Sequence, residues 1–119
     1  MAPYNSIVGK RLEVSVPVIA YGINESLNSE GPVDYIELRP EIIAGPEIVF
    51  SKPLSIGTLI RIDRVLAAEY FSRTLLHYEV SVLDGSFGSD RVVIPTSEDY
   101  ESGTLGLNSA VYSEVEPNL

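Results

Sequence analysis

Apolar and polar residues alternate most regularly between positions 12 and 20. Every second position there is apolar, namely Leu12, Val14, Val16, Val18 and Ala20. Successive side chains of a β-strand point to opposite faces, so this pattern predicts a strand with one buried face. Pro17 interrupts the run. Because proline cannot donate to a hydrogen-bonded ladder, we expect this strand to lie at a sheet edge or to carry a bulge.

Five further segments predict strands, because they are rich in β-branched and aromatic residues and are bounded by glycine or proline. They cover residues 33–39, 47–50, 58–66, 75–83 and 91–94. In the segment 75–83, Leu76, Tyr78, Val80 and Val82 share one face. Two stretches leave alternatives open. Residues 65–76 form either a strand–loop–strand unit or a single helical turn, and residues 110–112 form either one more short strand or part of a mobile tail.

Six short strands separated by turn residues predict an all-β domain. The chain has 119 residues and no tryptophan, which favours a small SH3-like or OB-like barrel over an immunoglobulin-type sandwich. We expect a single barrel domain over residues 1–96. Residues 97–119 then form an acidic C-terminal segment.

Four short motifs of turn and packing residues lie between residues 8 and 66. They are VGKR at 8–11, AYG at 20–22, GPEIVF at 45–50 and PLSIGT at 53–58. These motifs resemble small SH3-like β-barrel proteins of the bacterial envelope, many of which are uncharacterised lipoproteins. The resemblance implies the periplasm or envelope rather than the cytoplasm. The chain departs from the lipoprotein pattern because it has no cysteine to carry a lipid.

The chain is strongly acidic. Eight Lys and Arg residues stand against seventeen Asp and Glu residues, which gives a net charge of -9. Nucleic-acid affinity comes largely from basic side chains that neutralise phosphates, so this balance argues against nucleic-acid binding. A basic protein partner would instead be attracted to the acidic surface. The alternative is that the acidity only keeps the protein soluble.

The residues needed for a cofactor, a metal or catalysis are scarce. The chain has no cysteine and one histidine, His77, which we place on the outer face of its strand. No glycine-rich phosphate loop occurs, and residues 84–90 fit a hairpin turn better than a calcium loop, because the EF-hand positions for glycine and glutamate do not match. We therefore expect no cofactor, no metal ion, no transmembrane segment and no enzymatic activity.

The strongest candidate contact residues combine acidic and aromatic side chains near the C-terminus. Residues 96–119 contain five acidic residues and no basic one. Tyrosine is a preferred anchor of protein interfaces, and Phe87 lies at the tip of a predicted hairpin, where it is either a contact residue or folds back over the barrel end. The candidate partner-binding residues are Phe87, Glu98, Asp99, Tyr100, Glu101 and Tyr112.

These observations predict a non-catalytic protein-binding module of a bacterial envelope or secreted system. The alternative is an acidic inhibitor, of the immunity type, that neutralises a basic toxin or enzyme. An enzyme ranks third, because no catalytic constellation is apparent.

Overall fold

The computed structural model describes residues 7–70, 73–95, 107 and 110–115. Its described part contains eight β-strands and no α-helix. The strands are β1 (Arg11–Val14), β2 (Val18–Ile23), β3 (Tyr35–Arg39), β4 (Ile48–Leu54), β5 (Leu59–Tyr70), β6 (Arg73–Val82), β7 (Val92–Pro95) and β8 (Tyr112–Glu114). The predicted all-β class is confirmed.

The eight strands form one sheet in the order β4-β2-β3-β7-β6-β5-β1-β8. The sheet is mixed, because β3 and β7 are parallel while the other neighbours are antiparallel. Among the described strands, β4 and β8 remain as edges. The sheet is therefore open and not a closed barrel. It has eight strands rather than the expected six or so, and the SH3-like or OB-like barrel type stays a prediction.

Two short connections force this open sheet to curl. β1 and β2 lie five positions apart in the strand order, as do β4 and β5. Five strand spacings amount to roughly 24 Å in a flat sheet, whereas the chain from Val14 to Val18 can span only about 14 Å. The two ends of the sheet must therefore approach each other. Backbone hydrogen bonds at this corner run from Val14 N to Thr58 O (2.9 Å) and from Gly57 N to Val14 O (2.8 Å).

The same corner explains one of the two extra strands. The predicted strand 12–20 is divided at residues 15–17 into β1 and β2, because Pro17 cannot continue a ladder. The alternation survives the break, since Leu12, Val14, Val18 and Ala20 are all buried. Neither strand lies at an edge, however: β2 lies between β4 and β3, and β1 between β5 and β8. Of the two alternatives considered for Pro17, an edge strand or a bulge, the edge position is wrong, and the strand is instead interrupted at residues 15–17.

The second extra strand, β8, shares only Tyr112 with the predicted segment 110–112, because residues 110–111 form a turn. The β5–β6 hairpin bears on the other open alternative. β8 pairs with β1, from Leu12 opposite Glu114 to Val14 opposite Tyr112. β5 and β6 pair as far as Tyr70 and Arg73. Residues 65–70 and 73–76 are thus strand, and the described part of that stretch contains no helical turn.

The inner surface of the curl holds the hydrophobic core. It is a single cluster of buried residues drawn from all eight strands, and it includes Leu12, Val14, Val18, Ala20, Ile36, Leu38, Leu54, Ile60, Ile62, Tyr78, Val80, Val92, Ile94 and Tyr112. The face predicted from Leu76, Tyr78, Val80 and Val82 is confirmed, since all four are buried. His77, on the opposite face of β6, is partly buried.

Candidate protein-interaction surface

The predicted contact residues divide into those that the structure describes and those that it does not. Glu98, Asp99, Tyr100 and Glu101 lie outside the described residues. Their proposed role therefore stays a prediction. Phe87 and Tyr112 are described.

Phe87 lies in the turn formed by residues 84–90, between β6 and β7. Its ring is partly buried against the hydrophobic core, and the Lys52 ammonium lies 5.6 Å from the ring centroid. A cation over an aromatic face is a favourable contact. The structure thus shows the second of the two alternatives considered for this residue, in which the ring folds back over one end of the sheet.

Tyr112 is on β8 and is only 5% exposed. Burial raises the pKa of its phenol, and the Glu41 carboxylate adds a smaller increase. Among the described residues, neither the Tyr112 hydroxyl nor the buried Tyr78 hydroxyl has a hydrogen-bond partner. In this conformation the Tyr112 ring belongs to the core and is closed to a partner.

A surface that the sequence did not single out lies in the loop formed by residues 24–34, between β2 and β3. Asn24 organises this loop and is the one buried polar residue in the described part of the chain, with 4% exposure. Its side-chain amide donates to Pro32 O (2.7 Å). Its Oδ1 accepts from the backbone N–H groups of Ser26 (3.0 Å) and Asn28 (3.2 Å). The buried amide therefore fixes the loop from the inside.

Gly31 makes room for this arrangement. A Cβ atom at residue 31 would lie 2.7 Å from Asn24 Nδ2, closer than real side chains tolerate. The Glu25 N–H donates to the Asp34 carboxylate at 2.7 Å, which joins the two ends of the loop. The polar character of residues 24–32 predicted a loop, but not this internal scaffold.

Leu27 is the unusual residue of the loop. It is 61% exposed, and its φ of 61° makes it the one non-glycine residue with a positive φ in the described chain. This left-handed conformation costs an L-residue roughly 1–2 kcal/mol. Ile42 and Ile56 are at least as exposed, but neither has a positive φ. The available sequence signal was a lone leucine within the polar run 24–32.

The loop is also acidic without local compensation. Glu25, Glu30 and Asp34 are exposed, and the chain contains no Lys or Arg between residues 12 and 38. No ion pair involves these three carboxylates among the described residues. Leu27 thus lies in the same loop as three exposed carboxylates that form no ion pair with the described residues.

Basic residues on the outer face of the sheet contrast with this loop, because their charges are largely neutralised. The Glu79 carboxylate pairs with Arg64 Nε (3.2 Å) and with Arg91 Nε (2.7 Å). Arg61 pairs with Asp63 at 2.8 Å. The carboxylates of Asp63 and Glu79 are thus engaged in ion pairs, whereas those of Glu25, Glu30 and Asp34 form none among the described residues.

The described ranges contain no cluster of side chains suited to a metal ion. Within them, no three His, Asp or Glu side chains come together as a metal ion would require. No helical segment there is long and apolar enough to cross a bilayer.

Comparison with protein-family models, with curated proteins and with solved structures finds no significant match to this chain. The inference about function therefore rests on the loop 24–34 and its charge.

Proposed function

We propose that this chain is a non-catalytic protein-binding module of a bacterial envelope or secreted system, and that the loop 24–34 is its contact with a basic partner. The observation that carries the proposal is Leu27, which is exposed at a left-handed backbone position. Strain of this kind persists where the surroundings impose it, and such positions cluster at functional sites. The envelope location rests on the resemblance of residues 8–66 to SH3-like envelope proteins.

The form of the loop suits recognition of a protein surface. An apolar side chain that inserts into a pocket supplies affinity, while surrounding charges act mainly on association rate and specificity. The Asn24 scaffold holds Leu27 in place before binding, so little conformational freedom is lost on association. The partner we propose presents an apolar socket surrounded by Lys and Arg residues.

The acidic inhibitor of a basic toxin or enzyme is the second candidate, and the unpaired charge of Glu25, Glu30 and Asp34 favours it. Its distinguishing property is that binding abolishes a catalytic activity of the partner at a one-to-one ratio. A binding module leaves that activity in place. Activity of the isolated partner, titrated with this protein, separates the two functions.

The test of the binding surface uses two substitutions of equally exposed residues. Leu27 is 61% exposed and Ile56 is 62% exposed. After a partner has been isolated from extracts of the native organism, its affinity is measured for Leu27→Ala and Ile56→Ala. We expect Leu27→Ala to weaken binding about tenfold or more, and Ile56→Ala to leave it unchanged. Equal effects, or none at Leu27, would overturn the assignment of the loop.

A second comparison tests the role of charge. Replacing Glu25 and Glu30 with Gln should slow association and reduce its salt dependence, because the two carboxylates contribute to the electrostatic attraction of a basic partner. The matched control replaces Asp84 and Asp90 with Asn in the turn 84–90. A larger effect from Glu98, Asp99 and Glu101 replaced together with Ser would transfer the contact to the C-terminal segment. Substitution is preferable to deletion of residues 97–119, since deletion would also remove β8.

A further inference from the structure

The β4 edge of the sheet provides a surface distinct from the loop 24–34. β4 has one described neighbour, β2, and its residues 50–53 are all exposed. An edge strand with free N–H and C=O groups can pair with another strand. The orientation of the backbone groups of β4 determines which of them can pair with a further strand.

Pro53 indicates which backbone groups of β4 face outwards. It is paired with Ile19 of β2, and a proline within an edge strand turns its nitrogen to the unpaired side. Ser51, two residues earlier, has the same orientation, because backbone direction alternates along a strand. The N–H and C=O of Ser51 and the C=O of Pro53 therefore form the free edge.

Two side chains next to these groups lie on the core-facing side of β4. Phe50 is opposite Gly22, and Lys52 is opposite the core residue Ala20. The Phe50 ring lies so close to Gly22 that a Cβ there would overlap Cε2 of the ring. Phe50 nevertheless remains 37% exposed, so the edge presents an aromatic ring and, two residues later, a cation.

We propose that β4 pairs antiparallel with β4 of a second copy of this chain, about a two-fold axis through Ser51. In this register the two Ser51 residues exchange both backbone hydrogen bonds. Phe50 then faces the partner's Lys52, and Lys52 faces Phe50 of the partner subunit. Each Lys52 ammonium, which lies 5.6 Å from the Phe87 ring centroid of its own chain, would then also face the partner's Phe50 ring in a favourable cation–π pairing.

Neighbouring registers are less favourable for identifiable reasons. A two-fold axis through Lys52 would set two ammonium groups opposite each other. An axis through Phe50 would place each Lys52 opposite Ile48 of the partner subunit, so that no ammonium group would face a ring across the axis. In the register through Ser51, Pro53 lies opposite Val49 of the partner subunit and lacks an N–H to donate, which limits the extent of the pairing.

The dimer is opposed by the net charge of -9 on each copy. Long-range repulsion between the copies is screened by salt. The expected association is therefore weak, in the range of roughly 10 µM to 1 mM typical of small transient interfaces. It should become tighter as NaCl is raised, whereas an interface held by salt bridges would weaken.

Sedimentation equilibrium of the purified full chain tests the proposal without any other partner. We expect a monomer–dimer equilibrium for the wild type and for Ser51→Ala, which keeps the backbone N–H. Ser51→Pro removes that N–H on the free side of β4 and should raise the dimer Kd about tenfold or more. A wild type that stays monomeric at about 1 mM, or a dimer unaffected by Ser51→Pro, would overturn the proposal.

Lys52 provides a test of the register. Lys52→Glu should weaken the dimer, and the double variant Phe50→Lys, Lys52→Glu should restore it through two Lys–Glu pairs. A mixed sample of isotope-labelled and unlabelled wild-type protein should show contacts between the α-protons of Phe50 and Lys52 across the axis. Absence of these contacts in a dimeric sample would overturn this register. Either result is independent of Leu27, so the proposed function is tested separately.

Discussion

The loop 24–34 and the turn 84–90 both connect adjacent antiparallel strands, but they place an apolar side chain differently. The loop exposes its apolar side chain to solvent, whereas the turn packs its own against the core. Each joins two antiparallel neighbours in the sheet, β2 to β3 and β6 to β7. In the loop, Leu27 is 61% exposed. In the turn, Phe87 packs against the core beneath the Lys52 ammonium.

The backbone conformations of the two connections explain the difference. The turn places its positive φ angles at Gly85 (80°) and Gly88 (54°), which adopt them without steric cost. The loop places its positive φ at Leu27 (61°), where a side chain makes the conformation unfavourable. The turn 84–90 is unstrained and covers the core, whereas the loop 24–34 contains a strained residue and exposes an apolar side chain.

The largest expected effect concerns the scaffold of the loop. Asn24→Ala should lower the free energy of unfolding by about 2–3 kcal/mol, because Pro32 C=O and two backbone N–H groups lose a buried partner. Asp84, which accepts from Ser86 N at 2.8 Å, has the corresponding role in the turn but is exposed. Asp84→Ala should change stability by at most about 0.5 kcal/mol. Urea denaturation measures both, and equal losses would mean that the two connections are built alike.

Truncation of the two apolar residues should give the next largest difference. Phe87→Ala should cost about 2 kcal/mol of stability, since it removes a partly buried ring from the core and a contact with Lys52. Leu27→Ala should stay within about 0.5 kcal/mol of the wild type, because its side chain is mostly in water. Thermal unfolding of the pair gives the comparison. A large loss at Leu27 would show that it supports the fold.

Exchanging glycine and leucine at one positive-φ position of each connection should change the free energy of unfolding less. The change should have opposite signs at residues 27 and 85. Leu27→Gly should raise the free energy of unfolding by about 0.5–1 kcal/mol. Glycine removes the steric strain of the left-handed conformation, and the gain is only partly offset by the greater entropy of glycine in the unfolded chain. Gly85→Leu should lower it by about 1–2 kcal/mol. A Cβ at Gly85 meets nothing within 4 Å, so the loss there reports backbone conformation alone. Destabilisation by Leu27→Gly would contradict the strain argument.

The smallest expected effect is a pH dependence of stability that arises from Asp84 in the turn 84–90. Hydrogen bonds from the Ser86 hydroxyl and backbone N–H hold the pKa of the Asp84 carboxyl below its usual value of 3.8. A lowered folded-state pKa stabilises the fold above the unfolded value, and this contribution is lost as pH falls through the folded-state value. Asp84→Asn should therefore reduce the loss of stability below about pH 4. Glu25→Gln, an exposed carboxylate of the loop 24–34, is the control.

Local periodicity in the sequence predicted the faces of the strands correctly, as Val14 and Tyr78 show. It could not predict the corner at Pro17, because the bend depends on pairing of residues 14 and 57–58 across the sheet. The candidate site was harder to predict. Whether Phe87 turns inwards depends on the distant residue Lys52, and the exposure of Leu27 depends on the buried amide of Asn24. Tyr112 looked like a contact residue beside Glu114, yet pairing of β8 with β1 places it in the core.

The pairing of β8 with β1 also has a consequence for folding kinetics. Leu12 is opposite Glu114, so two segments separated by 102 residues must meet before the sheet is complete. The parallel pair between Ile36 and Val92 adds a separation of 56 residues. Closing such long loops slows folding, which places this chain among domains that fold in milliseconds to seconds. Until β8 arrives, one side of β1 stays unpaired, and during that interval the chain is most prone to aggregation.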